Sequence, residues 1–327
     1  MEWAHYKMKK ILIIRFSSIG DIVLTTPVLR CIKEQKPEIE IHYLTKKSFK
    51  GILEHNPYLS KIHTIEKDIN EIAKELKAEN FDFVIDLHNN LRSLQTKRII
   101  GKPSSSFKKL NFKKWVLVNF KIDNMPAMHV VDRYLETATS LGIKNDLKGL
   151  DYFIPTKDEV QLQSLPSTHQ NGYIGFVIGA KHFTKQLPTE KIIAICKKLN
   201  HPIILLGGKE DKERAIAIEK AVGVTIYNAC GNYNLNQSAS LIKQAKKIIT
   251  HDTGLMHIAA AFKKEIISVW GNTVPAFGFT PYLPDSKSKI VEVKNLACRP
   301  CSKIGHDKCP KGHFKCMMEI DENEIVN

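Results

Sequence analysis

Short apolar runs alternate along this chain with segments whose apolar residues recur every three to four positions. Lys10 to Arg15 reads as a buried strand, and Asp21 to Glu34 as a helix with Ile22, Val23, Val28, Leu29 and Ile32 on its covered face. Glu40 to Leu44 follows as a strand, Phe49 to Asn56 as a short helix and Ile69 to Glu79 as a longer one. Phe81 to Asp86 is a strand that runs into the polar loop Leu87 to Arg92. Gly101 to Asn124 is basic and less regular, and Met128 to Leu141 is a helix stopped by Gly142, a residue suited to the position after a helix end. From Lys144 to Gly172 the pattern fades around Pro155 and Pro166, as in a linker. The rhythm then restarts, with strands at Tyr173 to Ile178, Ile203 to Leu206, Val224 to Ile226, Lys247 to Thr250 and Glu265 to Trp270. Helices at Thr189 to Leu199, Asp211 to Val222 and Asn236 to Ala245 separate them. Such β-α alternation in two halves predicts two doubly wound, parallel-sheet α/β domains, 1–160 and 161–327.

Composition adds limits. With 327 residues, 43% hydrophobic and 25% charged, each half can bury a core, and disorder is excluded as a general description. The net charge of +15, from 49 Lys+Arg against 34 Asp+Glu, favours an anionic partner. The lysines are spread out rather than gathered in a tail, which speaks against nucleic acid. No segment approaches the roughly twenty apolar residues that span a bilayer, and Met1 to Lys10 lacks the order of a signal peptide. A cytoplasmic protein, peripheral at most to the inner face of the membrane, is the expectation. Cys31, Cys196 and Cys230 are dispersed and read as buried thiols.

Two strand-to-helix turns carry the chemistry. In Arg15-Phe-Ser-Ser-Ile-Gly-Asp21, the residues Ser17, Ser18 and Gly20 permit a tight turn with exposed N–H donors, and Asp21 stands at the helix start. In His251-Asp-Thr-Gly-Leu-Met-His257, the residues Asp252, Thr253 and Gly254 leave a strand and His257 lies a turn into the next helix. Helix N-termini bind anions. Asp at a helix start is equally explained as a cap, so each turn alone is read both ways. Neither is a dinucleotide-binding glycine fingerprint nor a Walker loop.

Taken together, the blocks of this chain resemble the ADP-heptose:lipopolysaccharide heptosyltransferases among the GT-B glycosyltransferases. The resemblance runs in order through Ile11 to Leu29, Asp86-Leu-His-Asn-Asn-Leu-Arg92, Lys185-Gln-Leu-Pro188, Gly207-Gly208, Asp252 to Ala261, Trp270-Gly-Asn-Thr-Val-Pro275 and a terminal cysteine cluster. It implies two Rossmann-like domains facing across a cleft, the acceptor on the N-terminal domain and the donor nucleotide on the C-terminal one. It implies Asp21 as general base, with Ser17, Ser18, Gly20 and Arg92 on the acceptor side. Lys185, Asp252, Thr253, Gly254 and His257 become the donor-binding set. The partners implied are ADP-heptose or a related nucleotide sugar and the lipopolysaccharide core. An inverting transfer needs a base beside the nucleophile and donors on the departing diphosphate, so no metal cofactor is required.

Two positions depart from the family pattern: Leu187 where many relatives carry Trp, and Leu255 where Pro is common. Both are expected to bear on the shape of the donor pocket. The basic stretch Lys97 to Lys121, with Lys102, Lys108, Lys109, Lys113 and Lys114, suits an acidic glycolipid at a membrane surface or a plainly solvated loop. Cys298, Cys301, Cys309 and Cys316, with His306 and His313, are candidate ligands for structural zinc; reduced thiols or a disulfide are the alternatives. The resemblance also implies a final helix over Met317 to Val326 that packs back on the first domain. Two other functions stay open at this stage: the same fold with another nucleotide sugar or acceptor, and a non-enzymatic basic protein binding nucleic acid or a membrane surface.

Overall fold

The computed structural model describes residues 8–327, so the extension from Met1 to Lys7 lies outside the described residues. The chain divides into two compact units. The first takes the chain up to Lys109 together with Val130–Phe153, and the second takes Leu110–His129 together with Ile154–Asn327. The basic segment 110–129 therefore groups with the second unit, and the boundary falls at 153 rather than 160.

The first unit holds strands β1 (Lys10–Ile14), β2 (Glu40–Lys46), β3 (Lys61–Ile65), β4 (Phe83–Asp86) and β5 (Ser104–Ser106), all parallel, in the order β3-β2-β1-β4-β5. The second holds β6 (Ile174–Val177), β7 (Ile203–Leu206), β8 (Ile226–Asn228), β9 (Lys247–His251), β10 (Glu265–Trp270) and β11 (Lys289–Glu292), also all parallel, in the order β11-β10-β9-β6-β7-β8. Central strands are unbroken apolar runs because helices cover both faces. Ile11, Leu12, Ile13 and Ile14 of β1 are fully buried, with Leu12 in register between His42 of β2 and Val84 of β4. Strand order reverses between β1 and β4 in the first sheet and between β6 and β9 in the second. In open α/β sheets ligands bind beyond the carboxyl ends of strands at such reversals.

Three strands escape the hydrophobic pattern: β3, β5 and β11. Each is a sheet edge, paired on one side only, where a polar stretch such as Ser104–Ser106 suffices. The helix expected from Asp21 to Glu34 is two helices, Ile19–Val23 and Thr26–Gln35. The Thr25 and Thr26 hydroxyls donate to the carbonyls of Ile22 and Val23 at 2.7 Å, and Pro27 supplies no N–H to continue the first helix. The helix expected up to Leu141 tightens to a 3-10 turn at Glu136–Leu141, and Gly142 closes it at φ 77°.

The chain end is built into the second unit. Short helices at Lys315–Met318 and Asn323–Val326 place fully buried Met317 and Ile325 in the core around Ile192, Ile195 and Val291. Glu322 pairs with Lys198 at 2.8 Å, and Lys191 donates to Ile320 O at 2.9 Å. The single final helix expected on the first domain is thus two short helices packed in the core of the second unit. No helix of the described residues is long and apolar enough to cross a membrane.

One buried cation ties the first unit together. Arg30, 3% exposed, donates to Asp146 (2.7 and 2.9 Å), to Asp151 and to Gly149 O (2.7 Å). Arg30→Met leaves Asp146 and Asp151 facing each other without a cation. The expected cost is about 3–5 kcal/mol, read as a lower unfolding midpoint in urea by circular dichroism.

Candidate active site

At the reversal point of the first sheet, Arg15 directly follows β1 and β4 ends in Asp86. Arg15 is buried, and its guanidinium donates to Ser17 O (2.7 Å), Leu87 O (2.5 Å) and Asp21 Oδ1 (2.7 Å). Its cation also lies 5.7 Å from the Tyr134 ring centre. The other oxygen of Asp21 accepts from the Ser18 hydroxyl at 2.8 Å and the Ser18 N–H at 3.2 Å. Ser18 thereby caps the helix that carries Asp21. Burial works against the Asp21 charge, but the Arg15 guanidinium and the Ser18 hydrogen bonds outweigh it and hold the carboxyl below its ordinary range. Asp21 is therefore ionised at neutral pH while its side chain stays 22% exposed.

The β4 loop is braced from beneath. Fully buried Asp86 accepts from the N–H of His88 (3.0 Å) and Asn89 (2.7 Å) and from Ser93 Oγ (2.7 Å), with Lys97 Nζ 3.1 Å away. Asn90 caps the helix Leu91–Ile100 through the Ser93 N–H. This brings Phe16 between two loop residues: the His88 ring meets it edge-on with centres 5.3 Å apart, and the Arg92 guanidinium lies 5.4 Å above it. Burial, with the Arg15 cation next, pushes His88 down to about 4, so its ring is neutral near pH 7. His88 Nδ1 is buried without a hydrogen-bond partner. Of the acceptor-side residues expected from sequence, Ser17 and Ser18 sit in the turn after β1, and Gly20 and Arg92 in the first turns of the helices that follow the two strands. Arg15, Asp86 and His88 were not singled out there; Arg15 and Asp86 are charges at the last turn of an apolar strand, and that signal is readable.

In the second unit the reversal lies between β6 and β9. The loop after β6 forms a 3-10 turn at Phe183–Lys185, and the loop after β9 leads into the helix Gly254–Ala261. They meet in the pair Lys185 Nζ–Asp252 Oδ2 at 2.5 Å, to which Thr273 Oγ1 adds a hydrogen bond at 3.0 Å. Thr253 occupies the N-cap in extended conformation, yet its side chain does not cap the helix, and Thr253 Oγ1 is buried with no partner. The amide of Asn272 is likewise buried and unpaired. His257 is buried in the following helix. The helix start with its free N–H groups, a cation and unused polar atoms is a site for an anionic ligand.

Lys185 is held by residues outside its motif. Arg214 donates to Ile178 O (3.2 Å), Gln186 Oε1 (2.9 Å), Thr189 Oγ1 (3.1 Å) and Leu187 O. Leu187 N–H donates to His251 Nε2 at 2.9 Å; burial drives His251 down to about 3, which keeps that nitrogen an acceptor. Leu187 itself is a fully buried core residue, so it bears on the site only through the backbone it anchors. At Gly207 a Cβ would meet Asp211 Oδ2 at 2.7 Å, and Gly208 N–H donates to that same oxygen at 2.9 Å. Gly207 thus makes room for Asp211, and Gly208 binds it through its N–H.

Three donor atoms of a metal site come within 4.8 Å of one another, among the described residues, only in His42, His63 and Glu79 of the first unit. These satisfy each other and their neighbours: His42 Nδ1 lies 3.0 Å from His63 Nε2, His63 Nδ1 lies 2.7 Å from Glu75, and Glu79 accepts from Lys10 (2.9 Å) and Lys61 (2.6 Å). Cys298, Cys301, Cys309 and Cys316 are free thiols that do not form such a set, although Cys298 Sγ lies 3.8 Å from His313 Nε2. Burial pushes the Cys316 thiol up to about 12, and the neighbouring cysteines reinforce the shift.

Two parallel α/β units, each with polar groups beyond the reversal of its strand order, have the architecture of the GT-B glycosyltransferases. The model of glycosyltransferase family 9 (heptosyltransferase) matches residues 69–311, and the chain belongs to that family. It is similar to lipopolysaccharide heptosyltransferase 1 of Campylobacter coli, 29% identical with 97% of each chain covered. Among solved structures it matches a family 9 glycosyltransferase from Veillonella parvula with a TM-score of 0.79 at 23% identity, covering 97% of this chain and 95% of that one. The E. coli ADP-heptose lps heptosyltransferase II matches with a TM-score of 0.71 at 22% identity, covering 97% and 98%.

Because Arg15 is the main force lowering the Asp21 pKa, Arg15→Met raises it: the carboxylate, charged above its folded pKa, then takes up its proton at higher pH. A 13C carboxyl titration by NMR, with Asp21→Asn to assign the resonance, is expected to show the midpoint moving upward.

Proposed function

We propose that this chain is an inverting glycosyltransferase that moves heptose from ADP-heptose to the inner core of lipopolysaccharide, with Asp21 as general base. The observation that carries the reading is the ionised, partly exposed Asp21 carboxylate, clamped by Arg15 and Ser18 at the strand-order reversal of a family 9 chain. The acceptor hydroxyl oxygen forms a bond to the anomeric carbon as the bond from that carbon to the diphosphate breaks. The hydroxyl proton passes to Asp21, and the electron pair of the broken bond leaves on ADP. Ser17, Ser18, Gly20 and Arg92 line the acceptor side. On the donor side, Lys185 and the N–H groups at Gly254 receive the developing diphosphate charge, Asp252 and Thr253 hold the sugar and its linkage, and His257 backs the loop.

Lys185 is paired with Asp252, so donor phosphate competes with that carboxylate for the ammonium. The donor class is supported by the names of similar proteins, which include an ADP-heptose lps heptosyltransferase. Lys185 and backbone donors supply the charge stabilisation on this reading, and zinc on Cys298, Cys301, Cys309 and Cys316 would be structural.

Asp21→Asn is expected to lower the transfer rate about 10²–10⁴-fold while ADP still binds with native affinity by calorimetry; unchanged turnover would remove the base assignment. Lys185→Ala is expected to weaken ADP binding about tenfold or more, since one charge-assisted contact to phosphate contributes roughly 1.5–3 kcal/mol. Treatment with a strong chelator should leave initial transfer rates on a truncated core acceptor unchanged. A panel of ADP-sugars in that assay tests the donor: transfer from another ADP-sugar and not from ADP-heptose replaces it.

A further inference from the structure

The helix Asn111–Phe120 presents a face that the second unit does not use. At 3.6 residues per turn, Phe112, Trp115, Val116, Asn119 and Phe120 share one side. Phe112 is 75% exposed, Trp115 47% and Phe120 59%, and Ile122 continues the apolar surface. Trp115 links the other two rings: Phe112 stacks on it with centres 6.1 Å apart, and Phe120 meets it edge-on at 5.3 Å. The opposite side fastens the helix. Leu117 is buried, Lys114 Nζ lies 4.8 Å from the Phe279 ring centre, and Lys121 Nζ donates to Pro300 O at 2.7 Å.

Single exposed apolar residues call for no explanation, but a contiguous aromatic cluster marks an interaction site. Its charge pattern selects the partner. Exposed Lys113 borders the aromatic side, and from Asn111 to Ile122 there is no acidic residue. Tryptophan and phenylalanine on one side with a lysine at the margin and no carboxylate are the composition of a helix lying in a lipid headgroup region. A self-complementary face would need a carboxylate to meet its own lysine, and this one offers none.

We propose that the helix Asn111–Phe120 docks on an anionic phospholipid bilayer, with Phe112, Trp115 and Phe120 entering the boundary between headgroups and acyl chains. Exposed Lys113 meets lipid phosphates there. The proposal rests on the reading of the acceptor as a lipid-anchored glycan. Binding to lipid is measured without any transfer, so the two can fail separately.

The test is co-sedimentation of the full chain with large unilamellar vesicles of phosphatidylglycerol and phosphatidylethanolamine, against vesicles of phosphatidylcholine alone. Preference for the anionic vesicles by about tenfold or more is expected, declining with salt. The combined variant Phe112→Ser, Trp115→Ser, Phe120→Ser should lose that binding about tenfold while keeping the native circular dichroism spectrum. Should that variant misfold, Trp115 is read directly: in Trp3→Phe protein, with Trp270 buried in the core, brominated lipids should quench its fluorescence. Equal partition onto both vesicle types, undiminished binding by the folded variant, or no quenching of Trp115 overturns the proposal. So does a native dimer that the variant turns into a monomer without lipid, which would make the face a contact between copies.

Discussion

A parallel strand covered on both faces has no room for a charge along its length, and this constraint organises both units. Ile11 to Ile14 leave water completely, so the next polar side chain is Arg15, just past the carboxyl end of β1, where the backbone turns into a helix. The same rule puts Asp86 at the end of β4 and Asp252 just beyond β9. Where strand order reverses, two such ends lie side by side with no crossover helix between them, and their polar residues are brought together.

What they do there depends on pairing. Asp21 and Asp252 both stand next to a cation, yet the two pairs differ. Arg15 is buried and committed: its fork reaches Asp21, Ser17 O and Leu87 O together, so it fixes the geometry of the loop as well as the charge of the carboxylate. Lys185 is a point charge on a flexible stem, and its partner Asp252 also takes a hydrogen bond from Thr273. A clamped carboxylate suits proton acceptance without rearrangement. An exchangeable lysine suits a ligand that brings its own negative charge.

The loop that carries Lys185 is positioned mostly from outside its own segment. Arg214 from the helix Lys212–Val222, His251 from β9 and the carbonyl of His306, which accepts from Thr184 N–H, each bond a different backbone group between Ile178 and Thr189. The terminal segment adds Met317, packed where a Cβ on Gly271 would fall at 2.6 Å. The cysteine-rich tail is thus structural support for the second unit's site loops.

The sequence by itself determined the class of fold, because covered strands and half-covered helices differ in their spacing of apolar residues, and Lys10–Ile14, Thr189–Leu199 and Glu265–Trp270 follow that spacing closely. It also marked Asp21 and Asp252, since acidic or capping residues close after apolar runs are conspicuous, whereas Lys185 stood out only through the family resemblance. Edge strands β3, β5 and β11 were illegible, as an edge needs backbone partners more than apolar side chains. Tertiary structure alone decided that Arg15 rather than a nearby lysine holds Asp21, that Arg214 holds the Lys185 loop and that the tail joins the second unit. Periodicity records which side chains are covered; it does not record which residue, distant along the chain, provides the cover or the countercharge.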